Sequence, residues 1–308
     1  MASAEPGSSR AAPRKLTGRK DEIDAFIDQF DTFLFDCDGV LWQGSKLMPR
    51  VVETLEMLRS KGKKLIFVTN NSTKSRAAYS EKFTSFGIPV SVDEIFGSAY
   101  STAVCLARVL QIPKDKRVFV IGEAGIEEEL TAEGIQHFGG TQPLWFPEDE
   151  VAEHAGPDPS VSAVVVGLDR HISYAKLALA FGYLQDPNVH FFATNVDSTF
   201  PTHGKLLPGA GSCSAPLTYM LGGRAPTAFG KPSPAMMESI ERRYKLDKSR
   251  ACMVGDRLNT DIKFGIEGGL KGTLAVLTGV STEREILEAG EASEGPDVYL
   301  DCLGDLLG

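Results

Sequence analysis

Short apolar runs alternate with helix-period segments along most of this chain, and that alternation limits the fold more than any other feature. Thr32–Phe35 reads Thr-Phe-Leu-Phe, without polar alternation. A helix follows with Pro49 near its first turn, Val52, Leu55 and Leu58 on one face and Gly62 past its end. The order then repeats, with a strand over 64–68 and a helix from Tyr79 to Gly87. Further strands are expected over 118–121, 163–166, 190–193, 251–254 and 273–277, with helices over 20–29, up to Gly134, and over 174–184. A continuous apolar strand is buried on both faces, which a parallel sheet covered by helices provides. The pattern therefore predicts an α/β protein with a Rossmann-like parallel sheet. At 308 residues, two α/β units are expected. Periodicity alone does not say which is inserted into which.

Composition narrows the function classes. Forty-one acidic against 32 basic residues leave a net charge of −9, a poor balance for holding nucleic acid. Five dispersed cysteines, without a CxxC or zinc spacing, read as reduced thiols. No apolar run approaches a membrane span, and no secretory signal is expected. Residues 1–15, rich in Ala, Ser, Pro and Arg, read as a disordered tail. These readings favour a cytoplasmic protein, with the nucleus as a further compartment.

Four local signals carry chemistry. Asp36-Cys37-Asp38-Gly39-Val40 follows the first strand directly. In open parallel sheets, ligands sit beyond the carboxyl ends of the strands. Two carboxylates at i and i+2 repel unless a cation or a shared proton compensates. Val68-Thr69-Asn70-Asn71-Ser72 ends the second strand and offers hydroxyl, amide and backbone donors to an anion. Lys231, in Gly230-Lys231-Pro232-Ser233-Pro234, precedes a Pro-initiated helix and suits a phosphate oxygen. Val254-Gly255-Asp256-Arg257-Leu258-Asn259-Thr260-Asp261 follows another strand and adds hard oxygen donors suited to Mg²⁺. Each signal also has a plainer reading: a solvated acidic turn, a helix N-cap, a surface lysine. P-loop, nucleophile-elbow, zincin and dinucleotide motifs are absent from the sequence.

Taken in order, D-x-D-G-V, T-N-N, G-K-P and G-D-x-x-x-x-D resemble the haloacid dehalogenase (HAD) superfamily of phosphotransferases. The likeness runs from about Phe33 to near the C-terminus. Finer detail, including Ala193-Thr194-Asn195-Val196-Asp197, resembles the subfamily of 4-nitrophenylphosphatase, phosphoglycolate phosphatase and pyridoxal phosphate phosphatase.

The resemblance implies a discontinuous core domain over 16–111 and 226–308, with a large α/β cap inserted over 112–225. It implies that Asp36 is the nucleophile and Asp38 the general acid and base. It implies Mg²⁺ on Asp36, the Asp38 main-chain carbonyl and Asp256, supported by Asn259 and Asp261. Thr69 and Lys231 would hold the phosphoryl oxygens with Asn70 and Asn71 nearby. Asn195, His203 and Lys205 are candidates for reading the rest of the substrate, with Arg170 and His171 as alternatives. The expected reaction is hydrolysis of a small phosphorylated metabolite, 2-phosphoglycolate first, with 4-nitrophenyl phosphate as an artificial substrate. No nucleic-acid or membrane partner is expected, and a homodimer through the cap is. Within the family, a pyridoxal phosphate or protein phosphatase or a phosphomutase is the alternative. Outside it, the alternatives are a phosphorylatable receiver module and a binding protein without activity. Asp38 and the inserted cap argue against the receiver, and the intact motifs against the binding protein.

Overall fold

The computed structural model describes residues 11–143, 150–202 and 205–308. It divides into two compact units: residues 1–66 with 241–308, and residues 67–240, which are inserted between them in the chain. The division runs through one strand, Lys64–Thr69, and one helix, Pro234–Tyr244.

The first unit is a parallel sheet in the order Arg14–Lys15, Val298–Leu300, Gly272–Val276, Ala251–Gly255, Thr32–Phe35, followed by the start of Lys64–Thr69. Thr32–Phe35 and Ala251–Gly255 are buried along their whole length, as continuous apolar runs require. On one side Phe26, Phe30 and Phe33 meet edge to face at 4.9 and 5.7 Å. The order starts earlier than expected. Arg14 and Lys15, assigned to the tail, pair with Val298 and Tyr299 as an edge strand. An edge strand has one exposed flank, so polar residues serve there and the apolar signal is missing.

In the second unit, the later half of Lys64–Thr69 pairs in parallel with Ile95–Gly97. A separate five-stranded parallel sheet follows the order Thr227–Ala228, His190–Ala193, Val161–Val166, Arg117–Ile121, His137–Gly139. Its central strands bury both faces. Val118 and Val120 pack with Ile126 and Leu130 on one side. Phe119 and Ile121 pack with Leu179 and Tyr183 on the other. Helix Tyr174–Leu184 has the expected bounds, with Ser173 capping it by accepting from the Lys176 N–H.

Thr199–Thr202 pairs antiparallel with Lys205–Pro208. His203 itself lies outside the described residues. Among the described residues, no helix is long and apolar enough to cross a membrane.

Candidate active site

In the first unit the acidic residues gather at two neighbouring strand ends. Asp36 follows Thr32–Phe35, and its N–H donates to the Val254 carbonyl at 2.8 Å. Asp256 follows Ala251–Gly255. Asp36, Asp256 and Asp261 are all buried and bring carboxylate oxygens within 4.8 Å of one another. Two unit charges at that distance repel by roughly 3.5 kcal/mol at an effective dielectric of about 20. A buried trio of this kind needs compensation, and its all-oxygen donor set fits a hard divalent cation such as Mg²⁺.

Each carboxylate has a fixed place. Asp256 Oδ2 accepts from the Val280 N–H at 2.8 Å. Asp261 Oδ2 accepts from the N–H groups of Asp256 and Arg257 at 3.2 and 3.1 Å. Asp261 thus holds the loop carrying Asp256 and does not cap the helix Lys263–Glu267, whose N-cap is Ile262. Asn259, expected beside it, is exposed in the same turn and supplies none of these bonds.

Asp38 is turned differently. Its Oδ1 accepts from the Trp42 indole N–H at 2.8 Å, so its carboxylate is oriented outside the trio. Gly39 between them has φ +96°, and a Cβ there would lie 2.5 Å from Asp256 Oδ2. Only glycine lets the backbone pass so close to that carboxylate. Thr278 Oγ1 donates to the Gly39 carbonyl at 2.5 Å, fixing the same turn.

The second unit carries the remaining core signals. Thr69 ends its strand almost fully buried, and its Oγ1 accepts from the Asn71 N–H at 3.1 Å. Asn71 Oδ1 accepts from the N–H and hydroxyl of Thr73 at 3.0 and 2.7 Å, an Asx turn. The following helix, Arg76–Ser85, is capped by Ser75, so Thr69, Asn70 and Ser72 are not its caps. Lys231 is buried, 2% exposed, and its Nζ donates to the Val68 carbonyl at 2.9 Å. The surface-lysine reading of Lys231 therefore fails.

Asn70 is placed against the Lys231 backbone, with its side-chain amide bonded to protein partners. Its Oδ1 accepts from the Lys231 N–H at 2.7 Å. Its Nδ2 donates to the Lys231 carbonyl at 2.9 Å and to Asp197 Oδ2 at 3.1 Å. Asn195 is buried and donates to the same Asp197 oxygen at 3.0 Å. Asp197 closes the motif Ala193-Thr194-Asn195-Val196-Asp197. Its i+2 spacing from Asn195 was the available signal.

Of the alternatives for substrate reading, Arg170 is held by Glu123 through Nε and Nη2 at 2.6 and 2.7 Å. Burial pushes the Glu123 carboxyl up, but the Arg170 fork outweighs it and leaves the group below its usual range. His171 is exposed, as is the candidate Lys205.

Within the first unit, a parallel α/β scaffold with clustered acidic oxygen donors at its strand ends fits the class of metal-assisted phosphoryl-transfer enzymes. Comparison with known proteins gives the same class and the family. A haloacid dehalogenase-like hydrolase model matches residues 33–136, and a second HAD-like hydrolase model matches 228–306. The chain is 53% identical over 295 residues to a 4-nitrophenylphosphatase of Schizosaccharomyces pombe, covering 95% of this chain and 98% of that one. It is 44% identical over 309 residues to the chloroplastic phosphoglycolate phosphatase 1A of Arabidopsis thaliana, covering 97% of this chain and 83% of that one. Among solved structures, a p-nitrophenyl phosphatase from Archaeoglobus fulgidus superposes with TM-score 0.76 at 31% identity, covering 90% of this chain and 98% of that one. The chain belongs to the haloacid dehalogenase-like hydrolase family and is a phosphatase.

Proposed function

We propose that this protein is a Mg²⁺-dependent phosphomonoesterase acting on a small phosphorylated metabolite, with 2-phosphoglycolate the first candidate. The observation that carries the reading is the buried trio Asp36, Asp256 and Asp261, with Asp38 two residues beyond Asp36 and held apart by Trp42. In support, a glycerol phosphate phosphatase from Mycobacterium tuberculosis, 30% identical with TM-score 0.76, was solved in complex with magnesium.

In this reading an Asp36 carboxylate oxygen attacks phosphorus. The ester P–O bond breaks, and the leaving oxygen takes a proton from Asp38. Asp38, now ionised, removes a proton from water as that water attacks the aspartyl-phosphate. The Asp36–phosphorus bond then breaks, releasing phosphate and restoring both carboxyl groups. Trp42 holds Asp38 in the orientation both transfers need. Asp36, the Asp38 carbonyl and Asp256 would hold Mg²⁺, with Asp261 supporting Asp256. When bound, the ion offsets the clustered negative charge of the carboxylates and the phosphoryl group. Thr69 and Lys231 are assigned to the phosphoryl oxygens.

Glycerol 3-phosphate is the second candidate substrate. A human relative, 39% identical over 320 residues, is a glycerol-3-phosphate phosphatase. Purified protein with Mg²⁺ is assayed on both esters and on 4-nitrophenyl phosphate. The expected result is the highest kcat/KM on phosphoglycolate, loss of all activity in EDTA, recovery with Mg²⁺, and no turnover by Asp36→Asn. Full activity in chelator or substantial activity of Asp36→Asn would refute the mechanism.

A further inference from the structure

Asp197 sits between the strands His190–Ala193 and Thr199–Thr202. Its backbone is pinned, because its carbonyl accepts from the Gly211 N–H at 2.9 Å. Its Oδ2 receives two amide donors, Asn70 Nδ2 at 3.1 Å and Asn195 Nδ2 at 3.0 Å. The Asn195 contact is local, spanning two residues, but the Asn70 contact is not, since Asn70 lies 127 residues away in sequence.

We infer that Asp197 is a positioning residue for Lys231, acting through the side-chain amide of Asn70. The inference rests on the assignment of Lys231 to the phosphoryl group. Asn70 reads both polar groups of the Lys231 backbone, accepting from its N–H and donating to its carbonyl. A rotated amide would set oxygen against the Lys231 carbonyl and NH₂ against its N–H, an arrangement with no favourable contact. Asp197 selects the working orientation. Its carboxylate takes the second Nδ2 hydrogen and would repel Oδ1 in the rotated form. The bond is charge-assisted and part-buried, and Asn195, itself buried, donates to the same carboxylate oxygen. Gly230 keeps the clamp close. A Cβ there would lie 2.6 Å from Asn70 Oδ1 and 2.7 Å from the Thr194 carbonyl.

The chain of contacts gives Asp197 no role in bond making. It fixes where the Lys231 backbone, and with it the ammonium anchored on the Val68 carbonyl, is held. Loss of Asp197 should therefore weaken phosphate binding more than it lowers kcat. Asp197→Asn keeps an acceptor oxygen of the same shape and should act as the conservative rescue.

The test uses the full chain with Mg²⁺, reading KM and kcat on 4-nitrophenyl phosphate and Kd for inorganic phosphate by calorimetry. Asp197→Ala should weaken phosphate and raise KM by about tenfold, the scale at which residues in one hydrogen-bond network couple. Its kcat should fall less, and Asp197→Asn should return to within about threefold of the parent. Asp197→Ala added to Asn70→Ala should cause no further loss. Should the alanine variant not fold, Asp197→Ser reads the same effect with a smaller polar side chain. Unchanged phosphate binding in Asp197→Ala or Asp197→Ser overturns the proposal, as does a loss that multiplies with that of Asn70→Ala. Wild-type phosphate binding by Lys231→Ala would overturn the Lys231 assignment itself, and this inference with it.

Discussion

Replacing Gly39 by alanine tests whether the turn between Asp36 and Asp256 sets the acidic cluster. Gly39 has φ +96°, where an L side chain is strained by about 1–3 kcal/mol. The added methyl carbon would lie 2.5 Å from Asp256 Oδ2 and 2.7 Å from its Cγ, where real Cβ contacts begin near 3.0 Å. Either the turn or the Asp256 carboxylate must then move by about half an ångström or more. Displacing a reacting or ligating group by about 1 Å costs on the order of a hundredfold in rate. Gly39→Ala should therefore lower kcat/KM on 4-nitrophenyl phosphate by about 10- to 100-fold and raise the Mg²⁺ concentration for half-activation. Stability should fall by about 1–3 kcal/mol, read from urea unfolding. Steady-state kinetics over a Mg²⁺ titration separates the two effects. An alanine variant with parental kcat/KM and an unchanged Mg²⁺ midpoint would refute the argument that this close approach places Asp256.

Further outcomes are expected. Asp38→Asn should lower phosphoglycolate turnover by about 10²–10⁴-fold and 4-nitrophenyl phosphate turnover by much less, because nitrophenolate leaves with little protonation; equal losses would remove the general-acid role. Arg170→Ala should change phosphoglycolate kcat/KM by no more than about twofold, since Glu123 already holds this exposed guanidinium; a selective loss on phosphoglycolate would make Arg170 a substrate contact. Lys176→Met should destabilise the protein by about 3–5 kcal/mol, because it leaves Asp169 buried without its 2.5 Å partner. Urea unfolding checks this, and a loss below about 1 kcal/mol would show that water or another group compensates.

How much could be read from the chain alone depended on how local each signal was. Thr32–Phe35, Val161–Val166 and Ala251–Gly255 were legible because a strand buried on both faces leaves a run of apolar residues. Asp36, Asp38, Asp256 and Asp261 were legible because each follows such a run within a few residues, and acidic side chains at a strand end are conspicuous. The edge strand Arg14–Lys15 was not, since its residues are polar and only its pairing with Val298 and Tyr299 defines it. The antiparallel pair Thr199–Thr202 and Lys205–Pro208 is likewise defined only by the bonds its two strands make to each other.

The sequence by itself determined the α/β class through its periodicity, the acidic residues at strand ends through their short spacing from the apolar runs, and the family through the likeness of its ordered motifs. Tertiary structure alone decided how individual side chains are used. It turned the Asp38 carboxylate toward Trp42 and left Asn259 at the surface while Asp261 braced Asp256. It also committed Asn70 to a backbone 161 residues away, with Asp197 as its counterpart. The physical reason is that a hydrogen bond from a side chain to a distant backbone group has no periodicity and no fixed spacing. Nothing in the order of residues marks it until the chain has folded and brought donor and acceptor together.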